Sequence, residues 1–137
     1  MIEISKKHEI HCGHRIMGHG GKCKFLHGHS YKFTFAVTSE KLDDMGMIID
    51  FSVLKDVVVK WIDHKYDHKL ILHKDDTILP FSMDNECGVV RVNYNPTVEN
   101  LAKNIFEEAE EQLIGYPVIL KYIEIEETET CKARYQK

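Results

Sequence analysis

One eight-residue stretch sets the architecture of this chain: Tyr31-Lys32-Phe33-Thr34-Phe35-Ala36-Val37-Thr38. Every second residue of the stretch is aromatic or branched, and these residues share one face: Tyr31, Phe33, Phe35 and Val37. Lys32, Thr34 and Thr38 point the other way. Alternation with a period of two predicts a β-strand that is half-buried, with one face on a core.

Three further segments are predicted strands, and they lie on both sides of the first in the sequence: residues 2–11, 118–127 and 130–135. In residues 118–127 the same period places Ile119, Ile123 and Ile125 on an inward row, which Lys121 interrupts. Residues 73–96 are irregular and polar, and residues 89–94 could form an extended piece.

Two segments repeat apolar residues at the helical period. The first covers about residues 51–65, begins at Asp50 or Ser52, and carries one apolar stripe: Phe51, Leu54, Val57, Val58, Trp61 and Ile62. The second has Thr97 as its cap and ends at Gly115. The order ββααββ predicts an α+β fold, an antiparallel four-stranded sheet with two helices on one face.

The composition limits the class of protein. A chain of 137 residues is predicted to form one domain, 1–137, which can bury a core without disulfides. The net charge of -4 gives no basic surface for nucleic acid, and no apolar run reaches the length of a membrane span. The first residues, Met1 to Ile4, lack the apolar region of a signal peptide, so we expect a cytoplasmic protein. Its scattered cysteines suggest no disulfide pattern, and we expect reduced thiols: Cys12, Cys23, Cys87 and Cys131.

A candidate metal site precedes the predicted strand at residues 31–38. Cys23 stands four residues before His27, which Gly28 separates from His29, and His14 lies upstream. Residues 12–30 hold five glycines, so we expect the site on a long functional loop. Three histidines are the ligand set of a catalytic zinc that keeps one position open. The thiol beside them is either a reactive group or a fourth ligand that closes a structural site.

Two other groups of residues suggest acid/base chemistry. Asp63-His64 and Asp67-His68 each place a carboxylate beside an imidazole, as general acid/base catalysis requires. Asp63-His64 is typical of a solvated helix end, whereas the residues alone leave Asp67-His68 undecided. His64 and His68, four residues apart, could also form a second metal pair. Glu127 shares the predicted inward face of Ile125, from which a carboxylate could accept N–H bonds from a heterocycle.

Taken together, six segments in order resemble the 6-pyruvoyltetrahydropterin synthase / 6-carboxytetrahydropterin synthase family. They cover nearly the whole chain: residues 11–16, 21–31, 46–51, 66–70, 95–102 and 126–128. The resemblance implies the tunnelling fold, in which subunits join into a barrel, usually as a homohexamer with active sites between subunits. It also implies a role for each candidate residue: zinc (Zn2+) on His14, His27 and His29, catalysis by Cys23, Asp67 and His68, and pterin binding by Glu127.

One departure from the family pattern affects the catalytic pair. Tyr66 precedes Asp67-His68, and Ile71 and Leu72 follow it, where many relatives have Leu and then Leu-Asn. Asp63-His64 therefore remains the alternative pair.

The gap between the cysteine and the His-Gly-His segment separates two branches of that family. Its three residues, 24–26, are similar to the bacterial carboxy-forming enzymes of the queuosine pathway, since pyruvoyl-forming relatives usually have more. The resemblance thus implies conversion of 7,8-dihydroneopterin triphosphate to 6-carboxytetrahydropterin, with release of acetaldehyde and triphosphate and no redox cofactor. Lys22, Lys24 and Arg15 are candidate triphosphate contacts. The alternatives are a pyruvoyl-forming synthase and a structural zinc module with Cys23 as a ligand.

Overall fold

The alternating stretch forms the central part of a longer strand in the computed structural model, which describes residues 1–137. The sheet has six strands: β1 (Ile4–His14), β2 (His27–Thr38), β3 (Leu70–His73), β4 (Val89–Val92), β5 (Ile119–Glu126) and β6 (Lys132–Tyr135). Their order across the sheet is β4-β3-β1-β2-β5-β6. The strands β1, β2, β5 and β6 are joined by antiparallel pairings, as the sequence predicted.

The prediction of a four-stranded, wholly antiparallel sheet is wrong. Two short strands extend the sheet beyond β1: β3 pairs with β1, and β4 with β3, both in parallel. The strand β4 lies within the possible extended piece at 89–94, but β3 was not predicted. Its sequence Leu-Ile-Leu-His has no alternation because both Ile71 and Leu72 are buried, and short buried strands of this kind lack a period-two signal.

The inward face of β2 builds the centre of the core. Tyr31, Phe33, Phe35 and Val37 are each at most 1% exposed, which confirms the predicted face. They pack with the apolar sides of the two long helices into one cluster. Burying a side chain of this size contributes about 1.5–3 kcal/mol. This row therefore fixes which face of β2 looks inward, and with it the direction of His27 and His29 at the start of the strand.

Helix α1 covers residues 51–66 and confirms the first predicted helix. Its cap is Asp50, whose carboxylate accepts the Ser52 N–H at 2.7 Å. The middle of the helix, Lys55–Val59, is a π-helical segment, and its extra residue lets the adjacent Val58 and Val59 both enter the core. Phe51 was predicted in the apolar stripe but lies outside the core and is 54% exposed.

Helix α2 is one short turn (Asp84–Cys87), and helix α3 (Val98–Gln112) confirms the second predicted helix. The Thr97 hydroxyl accepts the Asn100 N–H at 3.2 Å, as expected of an N-cap. Gly115 follows the helix with a positive φ of 91°, which favours glycine. None of these helices combines the length and the apolar character needed to cross a membrane.

A β-bulge alters the predicted inward row of β5. The register shifts between Ala36 and Val37, which pair with Tyr122 and Leu120 respectively. Leu120 is therefore the buried residue before the bulge, while Ile119 is 52% exposed. Ile123 and Ile125, after the bulge, are buried as predicted. The inward face thus continues correctly toward Glu127, the residue that follows β5.

Candidate metal centre and active site

The three candidate metal ligands lie on strands, so the prediction that residues 12–30 form one long loop is wrong. Strand β1 continues to His14 and β2 begins at His27, and these two residues are register partners. One step further in, Cys12 pairs with His29. Since alternate residues share a face, His27 and His29 point to the same side, and His14 joins them from the neighbouring strand. The connecting loop is only residues 15–26.

The three imidazoles converge on a single point. Their nearest ring nitrogens all lie within 4.8 Å of one another, and the cluster contains no cysteine. The His14 and His27 Nε2 atoms are 3.0 Å apart. Two tetrahedral Zn–N bonds of the usual length separate their nitrogens by about 3.3 Å, so the spacing suits one ion.

The hydrogen bonds of the rings indicate which nitrogens are free to bind. His14 Nδ1 lies 2.7 Å from the Pro96 carbonyl oxygen, and His27 Nδ1 lies 2.7 Å from that of Phe25. A carbonyl only accepts, so each Nδ1 carries the proton and each Nε2 presents a lone pair. His29 Nε2 is buried and has no hydrogen-bond partner. The Tyr31 hydroxyl lies 3.2 Å from His14 Nε2. Three ring nitrogens facing one another are the arrangement that a cation would stabilise, and imidazole is a good ligand for zinc.

Burial keeps His14 and His29 neutral. Desolvation lowers the pKa of His14 to about 4, and the neighbouring His27 and His29 lower it further against the opposing effect of the Pro96 carbonyl. Desolvation also lowers the pKa of His29, although the charge of Glu127 raises it. Metals bind the neutral form of imidazole. These two ligands are therefore ready to bind a cation at neutral pH without first losing protons.

Cys23 and Cys12 differ in their chemistry. Cys23 is half-buried in the short helical turn Lys22–Lys24 of the connecting loop, outside the cluster of metal-binding atoms. Cys12 is only 6% exposed, and burial, with the charge of Asp67, raises its pKa to about 12. A thiol with so high a pKa is inert at neutral pH, which leaves Cys23 as the reactive candidate on this side of the sheet.

Glu127 faces the metal site, as the alternation in β5 predicted. Its Oε1 lies 3.8 Å from His29 Nε2, and its side chain is 23% exposed. Its charge is one of the smaller causes, after burial and Cys12, that raise the pKa of the Tyr31 phenol. The carboxylate is thus close enough to the metal site to hold a ligand there.

Asp67 and His68 lie on the opposite side of the sheet. His68 follows α1 with a φ of 58°, an uncommon left-handed conformation for a residue with a side chain. Asp67 stabilises it, since one carboxylate oxygen lies 3.0 Å from His68 Nδ1 and the other accepts the His11 N–H at 2.9 Å. The His68 ring packs edge-on against that of His11, 5.9 Å between centroids.

His11 belongs to the face of β1 that points away from His14. Its Nδ1 lies 3.0 Å from the hydroxyl of Ser30, the outward neighbour of His29. His11, Ser30, His68 and Lys69 line an open cavity of about 500 Å³, whose lining also includes Cys12 and the metal-ligand candidate His29. No hydrogen bond connects Asp67 or His68 with Cys23 or with the three-histidine cluster, so a single chain makes no direct link between the predicted catalytic residues.

The alternative pair Asp63-His64 has a structural role instead. The Asp63 carboxylate lies 2.6 Å from His8 Nε2 on β1, so it is not the partner of His64. Neither His64 nor His68 belongs to a cluster of three or more metal-ligating side chains. Asp67-His68 is therefore the pair with the geometry of an oriented imidazole.

Sequence reasoning missed the contribution of residues 73–96. Pro96 orients His14, and the Asn95 side chain forms two hydrogen bonds of 2.9 Å with the backbone of Met17. Asp76 binds Arg15, one of the candidate triphosphate contacts, at 2.6 Å. A turn signal such as Asn95-Pro96 can be read from sequence, but the strand end that it contacts cannot.

Comparisons with known proteins agree with this geometry. The family model of 6-pyruvoyl tetrahydropterin synthase matches residues 3–137. The 6-carboxy-5,6,7,8-tetrahydropterin synthase of Rickettsia felis is 40% identical over 134 residues, 96% of this chain and 97% of that protein. The enzyme of the same name from Haemophilus influenzae is 31% identical over the full length of both chains.

Solved structures show the same fold. A Plasmodium falciparum 6-pyruvoyl tetrahydropterin synthase superposes with a TM-score of 0.74 at 28% identity, covering 99% of this chain and 97% of that one. An uncharacterized protein from Wolinella succinogenes superposes with a TM-score of 0.86, covering 98% and 97% of the two chains, and at 24% identity this likeness concerns the fold alone.

Proposed function

This chain belongs to the 6-pyruvoyl tetrahydropterin synthase family, and we propose that it is the carboxy-forming enzyme of that family. The reaction converts 7,8-dihydroneopterin triphosphate and water to 6-carboxy-5,6,7,8-tetrahydropterin, acetaldehyde and triphosphate, and the water supplies the second carboxyl oxygen. The curated relatives at 31–40% identity that bear this name support the choice of branch. We place the activity in the cytoplasm and in queuosine biosynthesis.

The observation that carries the proposal is the cluster of three imidazoles whose ring nitrogens converge, within reach of Glu127. His14, His27 and His29 would hold Zn2+ and leave a coordination position open, because Cys23 lies outside the ligand cluster. When bound, zinc supplies Lewis-acid polarisation of the substrate's side-chain hydroxyl groups.

The protein's own residues then divide the remaining work. Glu127 accepts N–H bonds from the amino-pyrimidinone edge of the pterin and places the side chain of the substrate beside the metal. The Cys23 thiolate removes a carbon-bound proton next to the ring. His68, held by Asp67 through Nδ1, exchanges protons at its other nitrogen as triphosphate leaves and the carbon–carbon bond breaks. The redistribution of electrons is internal to the substrate, so no redox cofactor takes part.

The position of Asp67 and His68 indicates how the site is completed. Because this pair lies on the face of β1 that points away from His14, we propose that it serves the metal site of a neighbouring copy. Such an arrangement requires a homo-oligomer, and a hexameric barrel of the tunnelling type provides one. A lone chain would then bind zinc without turning over substrate.

A pyruvoyl-forming synthase is the second candidate, supported by the likeness to the Plasmodium falciparum enzyme. It would eliminate triphosphate without breaking a carbon–carbon bond. The structural zinc module is disfavoured, because the ligand cluster does not include the thiol that would close it.

Product analysis tests the proposal. Zinc-loaded protein is incubated with 7,8-dihydroneopterin triphosphate, beside Cys23→Ala, and the products are identified by mass spectrometry. We expect 6-carboxytetrahydropterin and acetaldehyde from the unaltered protein, and neither from the variant, which retains its zinc. Pyruvoyltetrahydropterin without acetaldehyde would move the chain to the other branch. No turnover, together with loss of metal from Cys23→Ala, would support the structural module.

A further inference from the structure

The turn that carries Cys23 is attached to the rest of the protein by a buried ion pair. We propose that Asp76 is a positioning residue for Cys23 and acts through Arg15. Its catalytic consequence depends on the proposed function, whereas its effect on the thiol can be measured without substrate.

Both oxygens of the Asp76 carboxylate accept hydrogen bonds. The residue is 1% exposed, one carboxylate oxygen accepts from Arg15 Nε at 2.6 Å, and the other accepts the Ile78 N–H at 3.0 Å. Arg91 also donates to the Asp76 backbone carbonyl at 2.6 Å. A buried carboxylate with both oxygens bonded offers its arginine partner a single geometry.

The same guanidinium group reaches the turn. Arg15 Nη1 donates to the Lys24 carbonyl at 3.1 Å, and Lys24 is the last residue of the turn whose middle residue is Cys23. The backbone supports this contact, because Ile16 N–H donates to the Cys23 carbonyl at 2.7 Å. Arg15 also follows His14 directly in the chain. Arg15 therefore relates the position of the Cys23 thiol to that of the metal-ligand candidate His14.

Hydrogen bonds, and no buried side chain of its own, hold the turn that carries Cys23. The turn buries no residue, and Phe25, immediately beyond it, is 62% exposed. Hydrogen bonds to charged groups are stronger than those between neutral groups, so loss of the Asp76 charge should loosen Arg15 and with it the turn. A displacement of about 1 Å at a reacting group can lower a rate about a hundredfold.

Asp76→Asn tests this inference, since it preserves the shape of the side chain and removes its charge. We expect kcat to fall roughly ten- to hundredfold with little change in KM, while zinc content stays at the unaltered level. Alkylation of Cys23 by iodoacetamide, followed by peptide mass spectrometry, should become about tenfold faster because the half-buried thiol gains access to solvent. The exposed Cys87 and Cys131 serve as internal references whose rates should not change.

Two further variants complete the design. Glu124→Gln is the matched control: it removes another acidic partner of an arginine, Arg134, and contacts neither Asp76 nor Arg15 nor the turn. We expect its kcat and its Cys23 alkylation to match the unaltered protein. Arg15→Lys keeps the charge opposite Asp76 but lacks the second donor to the Lys24 carbonyl, so it should reproduce the Asp76→Asn defects. It carries the test if Asp76→Asn does not fold.

The outcomes separate the two proposals. If the unaltered protein does not convert the pterin triphosphate, the proposed function fails, and the alkylation rates still decide the role of Asp76. If folded, zinc-loaded Asp76→Asn or Arg15→Lys shows unaltered Cys23 alkylation and unaltered kcat, the positioning role is wrong.

Discussion

Mixing two inactive variants would show whether the active site is shared between subunits. Cys23→Ala removes the thiol on the metal side of the sheet, and His68→Ala removes the imidazole on the other side. Each variant alone should be inactive. If the active site is shared as proposed, each site in assemblies formed from equal amounts of both variants draws these two positions from different chains. The chance that both are intact is one half for each position, so about a quarter of the sites should recover.

A same-face mixture provides the control. Cys23→Ala combined with His27→Ala places both defects on one side of the sheet, in residues that the same chain must supply together. No site in that mixture obtains both intact residues, so activity should stay at the background level. The assay is the rate of acetaldehyde release after co-expression, with native mass spectrometry to establish that mixed assemblies exist. Mixed Cys23→Ala and His68→Ala assemblies that remain inactive would refute the shared site.

Two other properties follow from the buried groups. Iodoacetamide at pH 8 should modify Cys23, Cys87 and Cys131 but spare Cys12, because burial raises the pKa of the Cys12 thiol to about 12. Early labelling of Cys12, mapped by peptide mass spectrometry, would contradict this burial. Burial, the largest single cause, raises the pKa of Asp76, but the hydrogen bonds from Arg15 and the Ile78 N–H together hold it below its ordinary value of 3.8. The stability due to this carboxylate is therefore complete above pH 3.8 and is lost as the pH falls through the lowered pKa. Urea unfolding should therefore show Asp76→Asn about 3 kcal/mol less stable than the unaltered protein at pH 7. This difference in unfolding free energy should narrow below about pH 4, and a difference that stays constant down to pH 3 would mean that the charge of Asp76 is not the cause.

The parts of the fold that could be predicted are those whose pattern is local. The alternation in residues 31–38 and the apolar stripes of the two long helices each lie within one element, and their buried faces were correct except at Phe51, which is exposed, and Thr38, which is buried. The strand β3 and the π-helical segment of α1 could not be predicted, since neither leaves a periodic signal. The β-bulge in β5 depends on its pairing with β2, and for that reason Ile119 was placed on the wrong face.

The candidate site, like the fold, could be predicted from sequence only in part. The types and spacing of His14, His27 and His29 indicated a metal site, and the structure brings their nitrogens together. Their glycine-rich surroundings, however, suggested a loop, although Gly13 and Gly28 face each other as register partners within strands. The separation of Asp67 and His68 from Cys23 depends on how α1 returns to β1. The hydrogen bond of His14 to the Pro96 carbonyl could not be predicted from sequence, because every residue has a backbone carbonyl.

The location of the metal ligands on paired strands has a consequence for how this protein tolerates insertions and deletions. Between His14 and His27 the chain can lengthen or shorten without displacing either ligand, because cross-strand hydrogen bonds, not the connecting segment, set their separation. One residue added inside β1 or β2 would instead reverse the side to which the following ligands point. We therefore expect natural length variation to collect in residues 15–26, where it can reshape the approach of substrate while the ligand geometry is inherited unchanged.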